Sequence, residues 1–165
     1  MGAWHVARHQ EVAEHGELAR FAVIAMGRQG GAEIGYGSDL DAMYVYEPVE
    51  GVDPEAAKQQ ANRMASALGH LLSGSLRPPI LAEHRLKIDV DLRPEGKNGP
   101  LVRSLESYAD YYERWAETWE RQALLRARPF AGDEEVGQKF IELIDPVRYQ
   151  HGLSDKELRE IRRVK

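Results

Sequence analysis

Two apolar runs separated by a glycine-rich stretch constrain this chain more than any other feature. "FAVIAM" at 21–26 has no helical spacing and reads as a short strand buried on both faces. "SDLDAMYVYE" at 38–47 reads as a second strand, rich in aromatic and β-branched residues and stopped by Pro48. Between them lie Gly27, Gly30, Gly31, Gly35 and Gly37. Glycines let backbone amides approach a ligand closely and allow positive φ. Successive amides of that kind form nests that bind phosphate, and Arg28 could add positive charge. "GRQGG" fits neither the P-loop nor the dinucleotide fingerprint. By itself the stretch is either a phosphate-gripping loop or a tight turn.

The remaining pattern organises around these strands. Residues 3–19 read as a helix without a clean apolar face, a packing arm or the end of something longer. Asp53-Pro54-Glu55 is a helix start, with Asp as N-cap and Pro in the first turn. Ala57, Ala61, Met64, Ala65, Leu68, Leu71 and Leu72 then recur at steps of three and four, with Gly74 as the stop. "HRLKIDVDLRP" alternates and predicts a third strand ending at Pro94, followed by the turn-rich "PEGKNGP". Helical patterns follow at about 104–126, 133–144 and 154–165. Strand, strand, helix, strand and then helices predict an α+β fold, a small mixed sheet packed on helices.

With 165 residues, 42% of them hydrophobic, the chain can hold a real core. It has no cysteine, which excludes disulfides and thiolate metal sites and fits a reducing cytoplasm. No apolar run approaches the roughly 20 residues needed to span a bilayer, and no membrane role is expected. The N-terminal stretch lacks the apolar core of a signal peptide. The whole chain's 22 basic and 27 acidic residues leave a net charge of −5, which argues against a broad nucleic-acid surface.

Chemistry concentrates in two acidic pairs. In a strand, Asp39 and Asp41 point the same way, roughly 7 Å apart, while Leu40 and Ala42 face a core. Two carboxylates on one face repel unless a cation or water intervenes, and Mg²⁺ prefers such oxygen ligands. In "KIDVDLRP" the same alternation puts Asp89 and Asp91 on one face and Ile88, Val90 and Leu92 on the other. If the two strands are neighbours, three or four carboxylates meet. The alternative is solvated edge aspartates, and spacing does not decide between the two.

An apolar strand, Gly27, ten residues after Arg28 and then Asp39-Leu40-Asp41 resembles the signature of the polymerase-β-like nucleotidyltransferases, with Arg28 where many members have Gly or Ser. "MGRQGGAEIGYGSDLD", "IDVDLRPEGKNGPLV" and "TWERQALLRARPFAGD" together resemble the glutamine synthetase adenylyltransferase family. The likeness runs over residues 21–133. "GYGSDLD", "ELIDPVRY" and "EIRRVK" resemble the C-terminal, adenylylating half of actinobacterial members. The resemblance implies a helical arm at 1–20, a nucleotidyltransferase domain at 21–130 and the start of a further helical region at 131–165, one piece of a larger multifunctional enzyme. It implies AMP transfer from ATP to a tyrosine of glutamine synthetase in nitrogen metabolism, with two Mg²⁺ ions. The alternatives are phosphorolytic removal of that AMP, or a non-catalytic glutamine synthetase-binding fragment. Glutamine synthetase is the implied partner, and a PII-type signalling protein acts through the rest of the enzyme.

Carried over by position, Asp39, Asp41 and Asp89 match the catalytic metal ligands, and Asp91 is set aside. Gly27, Arg28, Gly37 and Ser38 shape the triphosphate cradle, and Ser38 could bond a phosphate oxygen. Arg93 could bind triphosphate or pair with a motif aspartate. The aromatics of "DYYERWAETWERQALLRAR", Trp115 and Trp119 included, are expected in a core. Glu120 and Arg126 are placed in an ion-pair network behind the site. The histidines lack metal spacing; His5 and His9 are four apart, with nothing acidic converging on them.

Overall fold

The strands β1 (Ala19–Ala25) and β2 (Leu40–Pro48) pair antiparallel over all of β1, from Ala19 opposite Pro48 to Ala25 opposite Ala42. The computed structural model describes residues 2–27, 40–73 and 88–149. Around the central pair lie α1 (Gly2–His15), α2 (Pro54–Ser73), β3 (Ile88–Asp89), β4 (Val102–Ser104), α3 (Leu105–Trp115), α4 (Thr118–Leu124), β5 (Arg128–Gly132) and α5 (Glu134–Arg148). β5 pairs antiparallel with β1, and β3 and β4 both pair parallel with β2 on its far edge. The result is a five-stranded mixed sheet, ordered β3-β2-β1-β5 with β4 also on β2. The expected α+β class holds.

Both faces of the sheet are covered, which is why β1 is apolar without alternation. Phe21 and Val23 of β1, with Ala42, Tyr44 and Tyr46 of β2, pack against Trp4 of α1 and against Ala61, Met64 and Leu68 of α2. On the other face Ala22, Ile24, Met43 and Val45 pack against Tyr108 and Tyr112 of α3, Leu124 of α4, and Val136, Phe140 and Ile144 of α5. Each large side chain so buried contributes ~1.5–3 kcal/mol. α1 is tied in twice: Trp4 stacks on Phe21 at 5.2 Å, and its C-terminal turn is held by Gln60 of α2. Gln60 is fully buried, accepts from the Leu18 and Ala19 amides at 2.8 and 3.0 Å, and donates to the Gly16 carbonyl at 2.7 Å.

Helix starts follow the expected chemistry. The Ala56 amide donates to Asp53 at 3.1 Å, the Ser107 amide to Ser104 at 3.1 Å and the Val136 amide to Asp133 at 2.9 Å. Gly132, at φ 100°, has no room for a side chain, because a Cβ would lie 2.3 Å from the Phe21 carbonyl. That close approach lets the chain turn from β5 straight into α5.

Three expectations change. The third strand, described over Ile88–Asp89, ends at Asp89 and not at Pro94: there the chain leaves β2 and enters turns that run to a 3-10 turn at Gly96–Asn98. Alternation therefore fails beyond Asp89. Val90 packs with Ile88 on the α2 face, whereas Leu92 packs on the α3–α5 face. The helix expected over 104–126 breaks at Ala116, and α4 restarts with a reciprocal cap between Glu117 and Glu120. The break takes Trp115 and Trp119 off a common face; both are exposed, at 67% and 39%, whereas Tyr108 and Tyr112 are buried. β4 and β5 were not expected: "VRS" is short, and "RPFAG" carries a proline. The helix expected at 154–165 and the stop at Gly74 lie outside the described residues.

Candidate active site

The register of β2 with β3 brings the two sequence-distant acidic motifs together. Leu40 pairs with Ile88 and Asp41 pairs with Asp89, in parallel strands. Paired residues of adjacent strands share a face, with backbones about 4.8 Å apart. Leu40 and Ile88 take the α2 side, so Asp41 and Asp89 take the other, at the end of the sheet where the core gives out. Both are half-buried. Two carboxylates so placed repel, and an all-oxygen pair fits a hard cation such as Mg²⁺. Among the described residues no group of three acidic or histidine side chains forms a metal site. Asp39, Arg28, Gly37 and Ser38 lie outside the described residues.

Gly27 touches the site through an absence of side chain. It follows β1 at φ 50°, and a Cβ there would lie 2.3 Å from Oδ2 of Asp41. The Met26 amide donates to the Asp41 carbonyl at 2.8 Å. The end of β1 thus fixes both the backbone and the carboxylate side of Asp41, and only glycine allows so close a pass.

Asp89 is set differently. Its Oδ1 accepts from the Asp91 amide at 2.8 Å, so the residue after next holds the carboxylate plane. Asp91 does not join the pair. It lies past the strand, with Arg93 at 3.6 Å and Lys97 at 3.3 Å. Arg93 is 8% exposed and its guanidinium is turned into its own loop. It donates to the carbonyls of Val90 (2.7 Å), Gly99 (3.2 Å) and Lys97 (3.3 Å).

Behind this loop sits a polar layer that sequence patterns mark only weakly. Glu95 is the one described non-glycine residue at positive φ, 63°, between Pro94 and Gly96. Its carboxylate pairs with Arg103, which also donates to Ser107 at 3.1 Å and lies 5.2 Å over the Tyr111 ring. Glu120 is 2% exposed and accepts from the Tyr111 hydroxyl at 2.9 Å and the Glu117 amide at 2.8 Å. Burial raises its pKa, and burial with the Glu120 hydrogen bond pushes Tyr111 up to about 12. Glu120 is therefore a hydrogen-bond hub under the loop. The Pro-Glu-Gly triplet was the available signal for the strained turn.

Comparison with known proteins decides the family. The family described as glutamate-ammonia ligase adenylyltransferase matches residues 3–143. This chain belongs to that family. The bifunctional glutamine synthetase adenylyltransferase/adenylyl-removing enzyme of Streptomyces avermitilis is 58% identical over 148 residues, 88% of this chain and 14% of the relative. The proteins of the same name from Corynebacterium diphtheriae and Mycobacterium tuberculosis (strain H37Rv) are each 53% identical over 149 residues, 89% of this chain and 14% of theirs. The chain thus spans about one-seventh of the length of these relatives. A solved toxin-antitoxin structure with AMP-PNP aligns over 96% of both chains at TM-score 0.34 and 16% identity, too slight a likeness to carry an argument. Among the described residues no helix is long and apolar enough to cross a membrane.

Proposed function

We propose that this chain is a nucleotidyltransferase domain that transfers AMP from ATP to a tyrosine hydroxyl of glutamine synthetase, with release of pyrophosphate. The observation that carries the reading is the register pairing of Asp41 with Asp89 in a member of this family. The assigned roles follow the polymerase-β-like plan. Asp41 and Asp89, joined by Asp39 two residues before Asp41, hold Mg²⁺. Gly27 makes room for the Asp41 carboxylate, and Arg28, Gly37 and Ser38 cradle the triphosphate. Mg²⁺ held there, as two ions, would supply charge neutralisation for the displacement and would lower the pKa of the attacking phenol. Asp89 stands as the base for the phenol proton. The expected setting is the cytoplasm, within a longer enzyme that answers to a PII-type protein.

Removal of AMP by orthophosphate is the second reading, favoured by the bifunctional name of the relatives. Incubation with labelled ATP, Mg²⁺ and unmodified glutamine synthetase should place label on tyrosine. Label released from adenylylated glutamine synthetase only when phosphate is added, with none incorporated in the forward assay, would reverse the direction.

A further inference from the structure

We infer that Arg93 is a positioning residue for Asp89 rather than a ligand of the triphosphate, an inference that rests on the metal-carboxylate reading of Asp41 and Asp89.

Asp89 is the last residue of β3, so no further ladder pairing beyond it holds its side chain. What holds Asp89 is the amide of Asp91, and what holds Asp91 is the loop that Arg93 pins. Nη1 of Arg93 donates to the carbonyl of Val90, Nε to that of Gly99 and Nη2 to that of Lys97. Its own amide bonds the Val90 carbonyl at 3.3 Å, and its carbonyl accepts from Gly96 at 2.8 Å. One buried guanidinium thus ties the start of the loop, three residues before Arg93, to its end six residues after it. Its forked geometry matches three carbonyls, which a lysine ammonium on a flexible stem does not reproduce.

The loop is closed tightly around this pin. A Cβ on Gly99 would lie 2.1 Å from the Pro94 carbonyl. Glu95 is held in a left-handed conformation that is unfavourable for a non-glycine residue, and its carboxylate is paired with Arg103. Backbone kept in such a state by its surroundings is a feature of sites where geometry matters. Here the geometry delivered is a fixed orientation of the Asp89 carboxylate, on the residue paired with Asp41.

The test is a double-mutant cycle read by calorimetry of Mg-ATP binding to the 165-residue chain, with thermal denaturation on every variant. Arg93→Lys should weaken binding by about tenfold, the scale expected when a residue supporting a metal ligand is changed. On an Asp89→Asn background the same change should add nothing, because Arg93 acts through Asp89. Gly99→Ala leaves the guanidinium intact but breaks the loop, and should copy the Arg93→Lys loss. Gln60→Ala, in the distant core, should lower the melting temperature without altering affinity. A further loss from Arg93→Lys on the Asp89→Asn background would show direct nucleotide contact and overturn the inference. So would wild-type affinity in Arg93→Lys or Gly99→Ala where Asp89→Asn binds weakly. Should Asp41→Asn and Asp89→Asn both bind as wild type, the metal reading itself fails, a separate result.

Discussion

Asp41 and Asp89 stand opposite each other, yet they are held by unlike means. Asp41 lies next to the Ala42 end of the β1–β2 ladder, tied to β1 by the Met26 amide and followed by side chains buried on both faces. Its position is a property of the core. Asp89 is the last residue of its strand, and its carboxylate depends on a ten-residue loop closed by Arg93 and braced by Glu95, Arg103 and Glu120. One half of the site should move only when the domain unfolds or when a group is placed directly against its carboxylate. The other half should respond to local changes that leave the domain folded.

The largest effect should come from the rigid half. Phe140 is fully buried beneath β1 and β2, and Phe140→Ala should cost ~3–5 kcal/mol in urea denaturation. Whatever folded protein remains should bind Mg-ATP normally, because the strand carrying Asp41 is lost only by unfolding. A folded Phe140→Ala protein with tenfold weaker binding would break the comparison.

Gly27→Ala sharpens it from the other side. The added Cβ must displace the Asp41 carboxylate, and φ 50° is unfavourable for alanine by ~1–2 kcal/mol. Stability should fall by about that amount while Mg-ATP binding falls by about tenfold or more, as measured by calorimetry.

Glu120 tests the bracing layer through pH. Burial raises its carboxyl above the ordinary 4.5, so the folded state binds the proton more tightly than the unfolded one. The stability it contributes is complete below that value and is lost as pH rises through the raised folded pKa. Glu120→Gln should remove this loss, giving a flatter rise-and-fall of urea midpoint above pH 4.5 than wild type. Glu135 has the opposite sign: hydrogen bonds from Lys139 and Arg20 lower its pKa, so its contribution is lost as pH falls. An unchanged pH slope in Glu120→Gln would remove Glu120 from the account of the loop.

Trp115 and Trp119 should give the smallest effects. Both are exposed, although Trp119 donates to Glu117 at 2.7 Å. Trp115→Ala should stay within ~0.5 kcal/mol of wild type in denaturation and leave binding unchanged.

The same contrast explains what could be read from sequence. "FAVIAM" and "DAMYVY" carry strong two-sided burial, so β1, β2 and Asp41 were legible, as was α2 from its apolar spacing. The pairing of β2 with β3 was legible only as a condition, because register between distant segments leaves no local mark. The fate of "KIDVDLRP" was not legible. Alternation over seven residues predicted a longer strand, but Asp91 bonding back to Asp89 and Arg93 bonding to its own loop offer the backbone a better set of partners than β2 does. β5 was hidden by Pro129, tolerated beside an irregularity in the β1 register. Trp115 and Trp119 looked like core because helical spacing was carried across a break that Glu117 and Glu120 cap from both sides.

Calorimetry of Mg-ATP binding to Asp41→Asn and Asp89→Asn, beside wild type, addresses the central claim most directly. Opposed carboxylates that share a cation predict a loss of about a hundredfold in Asp41→Asn, about 3 kcal/mol, and a clear loss in Asp89→Asn. Melting temperatures should stay near that of wild type. Equal affinity in all three proteins, with folding intact, would contradict the assignment of this strand pair as the active site.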